Sequence, residues 1–281
     1  MRKVLPIAIA CYLINSAIAS EEAPQAPAEA APPQQVETIL DLSYKNLPNL
    51  LEYIPRFTDD LRVLDLSRNY QLRDIGPEVL SEHMPKNLIS LSICAIMMTD
   101  AGMRKIAPHL PRTLVIFKMA NNFVGDPGMV ELAKHPLPPA LEELDLSGNK
   151  IGRDGIDAIA PRFPPTLKLL DLGRNLFGSA GGKALSKHIP PNLISLDVRG
   201  NDMGATTVNE LIMALPEGLT VIAIDKNHID AMGVIILSLD GFEQFNIELT
   251  HAPFFYRGNN VFIRGPLEVD TPEIAIDNKP I

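Results

Sequence analysis

Three sets of side chains in this sequence have the types and spacing that chemistry uses. Asp41, Asp65, Asp145, Asp171 and Asp197 recur in one local context, each preceded by Leu and followed by Leu or Val. Ser92, Lys118 and Ala223 fill the matching places between and after them. Such a row, with Glu143 beside it, offers oxygen ligands to a hard cation or an acidic face to a basic partner. His83, His109, His135 and His188 also recur in register, and imidazoles suit metal binding or proton sensing. Cys94 stands alone in the body of the chain, and a thiol nucleophile needs a base within hydrogen-bond reach.

Whether any of these groups meet depends on the elements that carry them. The chain repeats itself with a period of 26 or 27 residues, with starts at Leu61, Leu88, Leu114, Leu141, Leu167, Leu193 and Leu219. An irregular first copy begins near Glu37. Each unit opens on alternating leucines, as in LEELDLSGNKI at 141–151, which predicts a short strand with Leu144 and Leu146 inward and Asp145 outward. Asn69, Asn122, Asn149, Asn175, Asn201 and Asn227 follow at one place. There a side-chain amide can pair with backbone groups of the adjacent units. Segments such as DAGMRKIA (100–107), DPGMVELA (126–133) and DGIDAIA (154–160) open on Asp as an N-cap and carry apolar residues at helical spacing. Proline-rich returns such as FPPTL (163–167) then stop the helix. One unit cannot bury its own apolar face, but a stack of them can.

On these residues the sequence resembles the leucine-rich repeat, with a G-x-x-G helix-bearing unit similar to the ribonuclease-inhibitor-like subclass, and to exported bacterial members in particular. The resemblance covers roughly residues 37–244. It implies an α/β solenoid, a horseshoe with a concave parallel β-sheet and convex helices. FFYRGNNVFIRG (254–265) reads as a hairpin that would cap the last unit. The departures from the pattern are Lys45 and Ile96 at Asn places and Thr207 at the second Gly of its unit. Ile96 cannot donate, so about 1–3 kcal/mol of unsatisfied polarity is expected there, and Ile96→Asn should stabilise.

Stacking separates the candidate chemistry. The histidines fall at helix ends, where a cation suits the dipole, and packed helices lie about 8–10 Å apart, too far for rings to share an ion. Cys94 faces the strand side, away from them. No nucleotide loop, zinc spacing or nucleophile elbow is present. The expectation is therefore a protein without catalytic residues, metal or cofactor, whose sheet face binds a protein partner. Two surfaces are the candidates. One is a neutral patch interrupting the aspartates: Ser90, Ser92, Cys94, Met97, Ile116, Lys118 and Phe123, with Ala120 outward among them. The other is the acidic row Glu143, Asp145, Asp171 and Asp197. A structural role in the cell envelope and, further off, a thiol enzyme are the alternatives.

The ends differ from the body. Arg2 and Lys3 precede an apolar run from Val4 to Ala19 that closes on Ala17-Ile18-Ala19. This pattern fits a cleaved signal peptide over 1–19 better than an anchor, because the run is shorter than the roughly 20 residues a span needs. Cys11 is poorly placed for a lipoprotein box. Residues 20–35 contain only Ser, Glu, Ala, Pro and Gln and read as a disordered linker. The repeat domain then takes 36–244, the cap 245–265 and a flexible tail 266–281. Cleavage would move the formal charge from −9 to −11, which excludes charge-driven binding to nucleic acid or an anionic membrane. A secreted or periplasmic location follows, with a host protein as one partner class. With Cys94 as the sole remaining cysteine, stability rests on packing.

Overall fold

The structure is a computed structural model, and it describes residues 37–224 together with the strands 234–238, 246–248, 254–257 and 260–264. The signal-like segment, the linker, the tail, Lys226, Asn227 and His228 lie outside the described residues. Among those described, no helix is long and apolar enough to cross a membrane.

Eight three-residue strands carry the repeat: β1 (Ile39–Asp41), β2 (Val63–Asp65), β3 (Ser90–Ser92), β4 (Ile116–Lys118), β5 (Glu143–Asp145), β6 (Leu169–Asp171), β7 (Ser195–Asp197) and β8 (Val221–Ala223). They pair in parallel and in sequence order. The register is the one the repeat dictates, with Leu64 opposite Leu91, Leu91 opposite Phe117, and so on to Ile222. Between strands run α1 (Ile75–His83), α2 (Asp100–Ile106), α3 (Asp126–Ala133), α4 (Arg153–Ile159), α5 (Gly178–Leu185) and α6 (Ala205–Met213). Helices of this kind pack about 8–10 Å apart and strands about 4.8 Å apart, so a regular stack bends with the sheet inside.

The core lies between the two layers. The seven repeat-start leucines have no exposed surface, and neither do Leu64, Leu91, Phe117, Leu144 and Leu196 in mid-strand. From the helical side come spaced pairs such as Met103 and Ile106, Met129 and Leu132, and Ile156 and Ile159. Five proline returns close as a turn, the start leucines Leu114, Leu141, Leu167, Leu193 and Leu219 donating their N–H to a proline carbonyl, as Leu167 does to Pro164 at 3.1 Å.

The asparagines bind the coils together. Asn149 donates Nδ2 to Leu146 O of its own coil and Met119 O of the preceding one, while Oδ1 accepts the Val124 N–H. Asn69, Asn122, Asn175 and Asn201 make comparable bonds and are all buried. In the turn after each strand of the first seven coils, the same place is at positive φ: Tyr44, Arg68, Ala95, Asn121, Gly148, Arg174 and Gly200.

Two expectations are corrected here. The first concerns Ile96, which sits in the core. The carbonyls an asparagine would serve there are already served, Leu66 O by Asn69 and Ile93 O by Asn122. The Ile96 N–H reaches Asn122 Oδ1, and its carbonyl accepts the Arg73 N–H. On the neighbouring side, the longer second coil makes its own turn, Leu72 N–H to Asn69 O. Each of the two carbonyls thus keeps one amide donor, where Met119 O and Leu146 O in the regular ladder have two, and neither is left unpaired.

The second concerns capping. The helices are capped from Thr99, Gly125 and Gly152, not from the aspartates, and Asp154 is exposed. Asp100 and Asp126 occupy the first helical place and reach across to the next coil. Asp100 Oδ1 accepts the N–H groups of Gly125 and Gly128, and Asp126 Oδ1 those of Gly152 and Gly155. Asp74 does the same for Thr99 and Gly102. This explains the second glycine: a Cβ on Gly155 would stand 2.6 Å from the Asp126 oxygen.

Beyond β8, β10 (Asn246–Glu248) joins the sheet in parallel as a ninth strand, which places Glu248 in register with Ala223. β11 (Phe254–Arg257) and β12 (Asn260–Arg264) pair antiparallel, as the hairpin pattern predicts. Their sheet has a third member, β9 (Val234–Ser238), where β-branched Val-Ile-Ile replaces the helix of earlier coils.

Candidate partner-binding face

The outward side chains of β1–β8 form the sheet face. Register places Asp41, Asp65, Ser92, Lys118, Asp145, Asp171, Asp197 and Ala223 in one row across it, as the repeat alignment requires. The aspartates share a local duty. Each accepts the N–H two residues ahead, from Ser43, Ser67, Ser147, Gly173 or Arg199, and so shapes the turn that leaves the strand.

The third and fourth coils make the neutral half. Ser90, Ser92, Cys94, Met97, Ile116 and Lys118 are half-buried, and Phe123 is 42 % exposed. The structure does not bring all of them onto one plane. Ser90, Ser92, Ile116 and Lys118 stand on the strands, whereas Met97 and Phe123 lie on the turn edge, one place past the asparagine position. Phe123 carries the Lys150 ammonium over its ring at 4.8 Å. Ala120 is buried, against expectation. The strands are only three residues long, so the alternation of faces stops at Lys118 and the chain is already turning inward. Cys94 holds the matching place in β3's coil and is half-buried for the same reason. Its Sγ accepts from Ser92 Oγ at 3.7 Å, and Ser92 Oγ lies 2.7 Å from Ser67 Oγ. Burial pushes the thiol up from its usual range, so at neutral pH it is a weak nucleophile.

The acidic half begins at Lys118. This lysine binds Glu143 at 2.7 Å across the strand pair. Partial burial works to lower its ammonium, but the Glu143 bond, with Asp145 behind it, outweighs that and shifts it upward. Beyond lies a groove of about 330 Å³ lined by Glu143, Asp145, Leu169, Asp171, Ser195, Asp197 and Val221 among others. Asp197 is gripped by Arg199 through Nε at 2.9 Å and Nη2 at 2.6 Å. Asp145 accepts the Ser147 hydroxyl at 2.6 Å. Asp171, between them, accepts one hydrogen bond among the described residues, from the Gly173 N–H at 2.8 Å. Burial and then the charges of Asp197 and Asp145 push its carboxyl up to about 6, against the Gly173 bond and Arg199.

The histidines keep to the helical side. His83 ends α1, and His109 ends a short 3-10 turn after α2. His83 and His135 lie 3.9 and 3.8 Å from Glu82 and Glu131 of their own helices. Among the described residues no three His, Cys, Asp or Glu side chains converge as a metal site would require. Sequence reading missed the Lys118–Glu143 pair, although the register contained it.

The fold and this face define a class. A family model described as Leucine Rich repeat matches residues 139–160 and 163–186, the coils that carry β5 and β6. The chain is a leucine-rich-repeat protein, and the same line continues through the unmatched coils on either side. No curated protein matches it. Among solved structures it is similar to an internalin from Listeria monocytogenes, with 18% identity, a TM-score of 0.49, and coverage of 76% of this chain and 61% of that one. It is also similar to a chain from the complex of Rad7 and Elc1 in yeast, with 14% identity, a TM-score of 0.47, and coverage of 75% and 67%. The chain thus spans less than two thirds of the internalin's length.

Proposed function

We propose that this protein is an exported, non-enzymatic binding module that takes a protein partner on its concave sheet face. The observation that carries the reading is the sheet face itself. Eight strands present side chains that the core does not use, apolar and hydroxyl-bearing in one half and acidic in the other. On the helical side the column of titratable groups is spread along helix ends. The half-buried, raised Cys94 thiol supports a binding role over a thiol enzyme. Export rests on the basic start, the apolar run and Ala17-Ile18-Ala19. A partner from a host cell is the finer form of the reading, and it leans on export.

A photo-cross-linking residue placed at Ser90 or Ser195 tests the face against Arg104 or Lys183 on the exposed helices. Cross-links to one protein from the sheet positions alone support the reading. Equal cross-linking from both sides, or from the helices alone, overturns it. Ile116→Asp with Phe123→Asp asks whether the neutral half takes part, by comparing recovery of that protein with wild type. Sequencing the N-terminus of the mature protein tests export, the expected first residue being Ser20.

A further inference from the structure

We infer that residues 266–281, the acidic segment following β12, dock back along the turn edge of the repeat, with apolar side chains on Phe123 and Leu176 and carboxylates at Lys150 and Arg174. The inference goes beyond the concave-face reading and does not need it, because the turn edge borders the sheet face rather than forming it.

The surface is a row one place past the asparagine position: Tyr70, Met97, Phe123, Lys150, Leu176 and Asp202. Tyr70, Phe123 and Leu176 recur at every second coil and are 51 %, 42 % and 67 % exposed. Exposed apolar side chains in line, with polar groups around them, mark a docking surface. The polar groups here are mostly cations. Lys45, Arg68, Arg73, Lys150 and Arg174 stand in these turns, and among the described residues none of them makes a salt bridge. Two lie over aromatic rings instead, Arg68 over Tyr44 and Lys150 over Phe123, each at 4.8 Å. The half-buried acids of this edge, Asp74, Asp100 and Asp126, are taken up by N–H groups of the next coil. Asp154 and Asp202 are its exposed acids. In a chain with a formal charge of −9, this edge is short of anions.

The segment supplies what the edge lacks. PLEVDTPEIAIDNKPI at 266–281 carries Glu268, Asp270, Glu273 and Asp277 against Lys279, with Leu267, Val269, Ile274 and Ile276 among them. It also starts on the right side. β8 and β10 are parallel neighbours, so the chain between them must run back from the turn edge, and β9 is that leg, packed beside α6. Arg264, the last residue of β12, pairs with Val234, the first of β9. The chain therefore leaves β12 on the turn-edge side. Strands about 4.8 Å apart put coil six about 10 Å, and coil four about 20 Å, from coil eight. Ile274 lies ten residues past Arg264, a distance over which an extended chain covers about 33 Å. Single exposed ion pairs are weak, so the apolar contacts hold the segment and the charges set its place.

The test puts a nitroxide on Asn278→Cys in the full chain, with Cys11→Ser and Cys94→Ser, and reads amide NMR signals. Phe123, Lys150 and Leu176 should lose at least half their intensity relative to the reduced label. Thr113 and Thr166, on the return edge at coils four and six, should keep theirs. Lys150→Glu with Arg174→Glu sets like charges together and should restore the Phe123 and Leu176 signals. Arg112→Glu with Arg162→Glu, the same charge change on the return edge, should not, and melting curves confirm that both variants are folded. Unbroadened turn-edge signals, equal broadening on the two edges, or broadening indifferent to Lys150→Glu with Arg174→Glu overturns the inference. Nitroxide-bearing chains are also mixed with isotope-enriched chains that lack the label. Broadening as strong in that mixture assigns the segment to a second copy and overturns docking within one chain.

Discussion

The two halves of the sheet face are built on one backbone and differ in how their polar groups are satisfied. Across coils two to four, hydroxyls and a thiol satisfy one another, Ser67 to Ser92 to Cys94, and Lys118 turns away towards Glu143. In coils five to seven, carboxylates stand one strand apart, and Asp171 is left with a single N–H. The difference shows that a repeat separates scaffold from surface. Leucines and asparagines fix the coil, and the outward places are then free to hold either chemistry.

The largest test asks whether the scaffold is as interchangeable as this implies. Asn149→Ala leaves the Val124 N–H without its acceptor and takes one of two amide donors from Leu146 O and from Met119 O. Leaving that buried N–H unpaired and losing two further bonds should cost about 2–3 kcal/mol, read as a lower urea midpoint. The asparagine place in coil three should behave in the opposite sense. Ile96→Asn offers only a second donor to carbonyls that are already paired, and it removes a core side chain. A loss of about 2 kcal/mol is expected. A gain in urea stability would show that the two seams are alike after all.

These two variants also mark what the sequence made legible. Strand register, the leucine core, the asparagine ladder and the aspartate row follow from the period, because each depends on residues at fixed places in every unit. Groups whose partners sit in the next coil were not legible from a single unit. Asp100 reads as a cap for its own helix, yet its partners Gly125 and Gly128 lie 25 and 28 residues on. Ile96 reads as a flaw because the amides of Asn69 and Asn122 are invisible until the coils are stacked. The neutral patch was drawn too flat: strands of three residues end before Ala120 and Cys94, so strict alternation overstates their exposure.

Acidity sharpens the comparison from the other half. The Asp171 carboxyl, raised to about 6 in the fold, has an ordinary value near 3.9 when unfolded. Between about pH 4 and 6 the folded state therefore binds more protons, and stability falls as pH rises through that window. The groups facing it are Glu143 and Asp145 on β5, and Asp197 with Arg199 on the other side. Above pH 6 the penalty is fully present. Asp171→Asn should raise stability by about 1–2 kcal/mol at pH 7.5, after allowing for solvent screening, with the gain vanishing near pH 4. A gain independent of pH would assign the effect to packing. The neutral half supplies the control: Ser92→Asn should show no such window.

The smallest effect lies in the turn that both halves share. Its left-handed place is taken by Gly148, Arg174 and Gly200 in the acidic half, at φ 63°, 54° and 63°, and by Ala95 and Asn121 in the neutral half, at φ 53° and 56°. A Cβ costs energy in that region, and glycine avoids the cost at the expense of a freer unfolded chain. The two terms oppose each other, and the steric one is the larger. Ala95→Gly should therefore stabilise by about 0.5 kcal/mol, a small rise in melting temperature. Gly148→Ala is not its mirror image, because the new Cβ would meet Asn121 Oδ1 at 2.5 Å. Its loss should exceed the Ala95→Gly gain. Equal and opposite effects would mean that the Asn121 side chain gives way, and that the turns of the two halves differ by backbone angle alone.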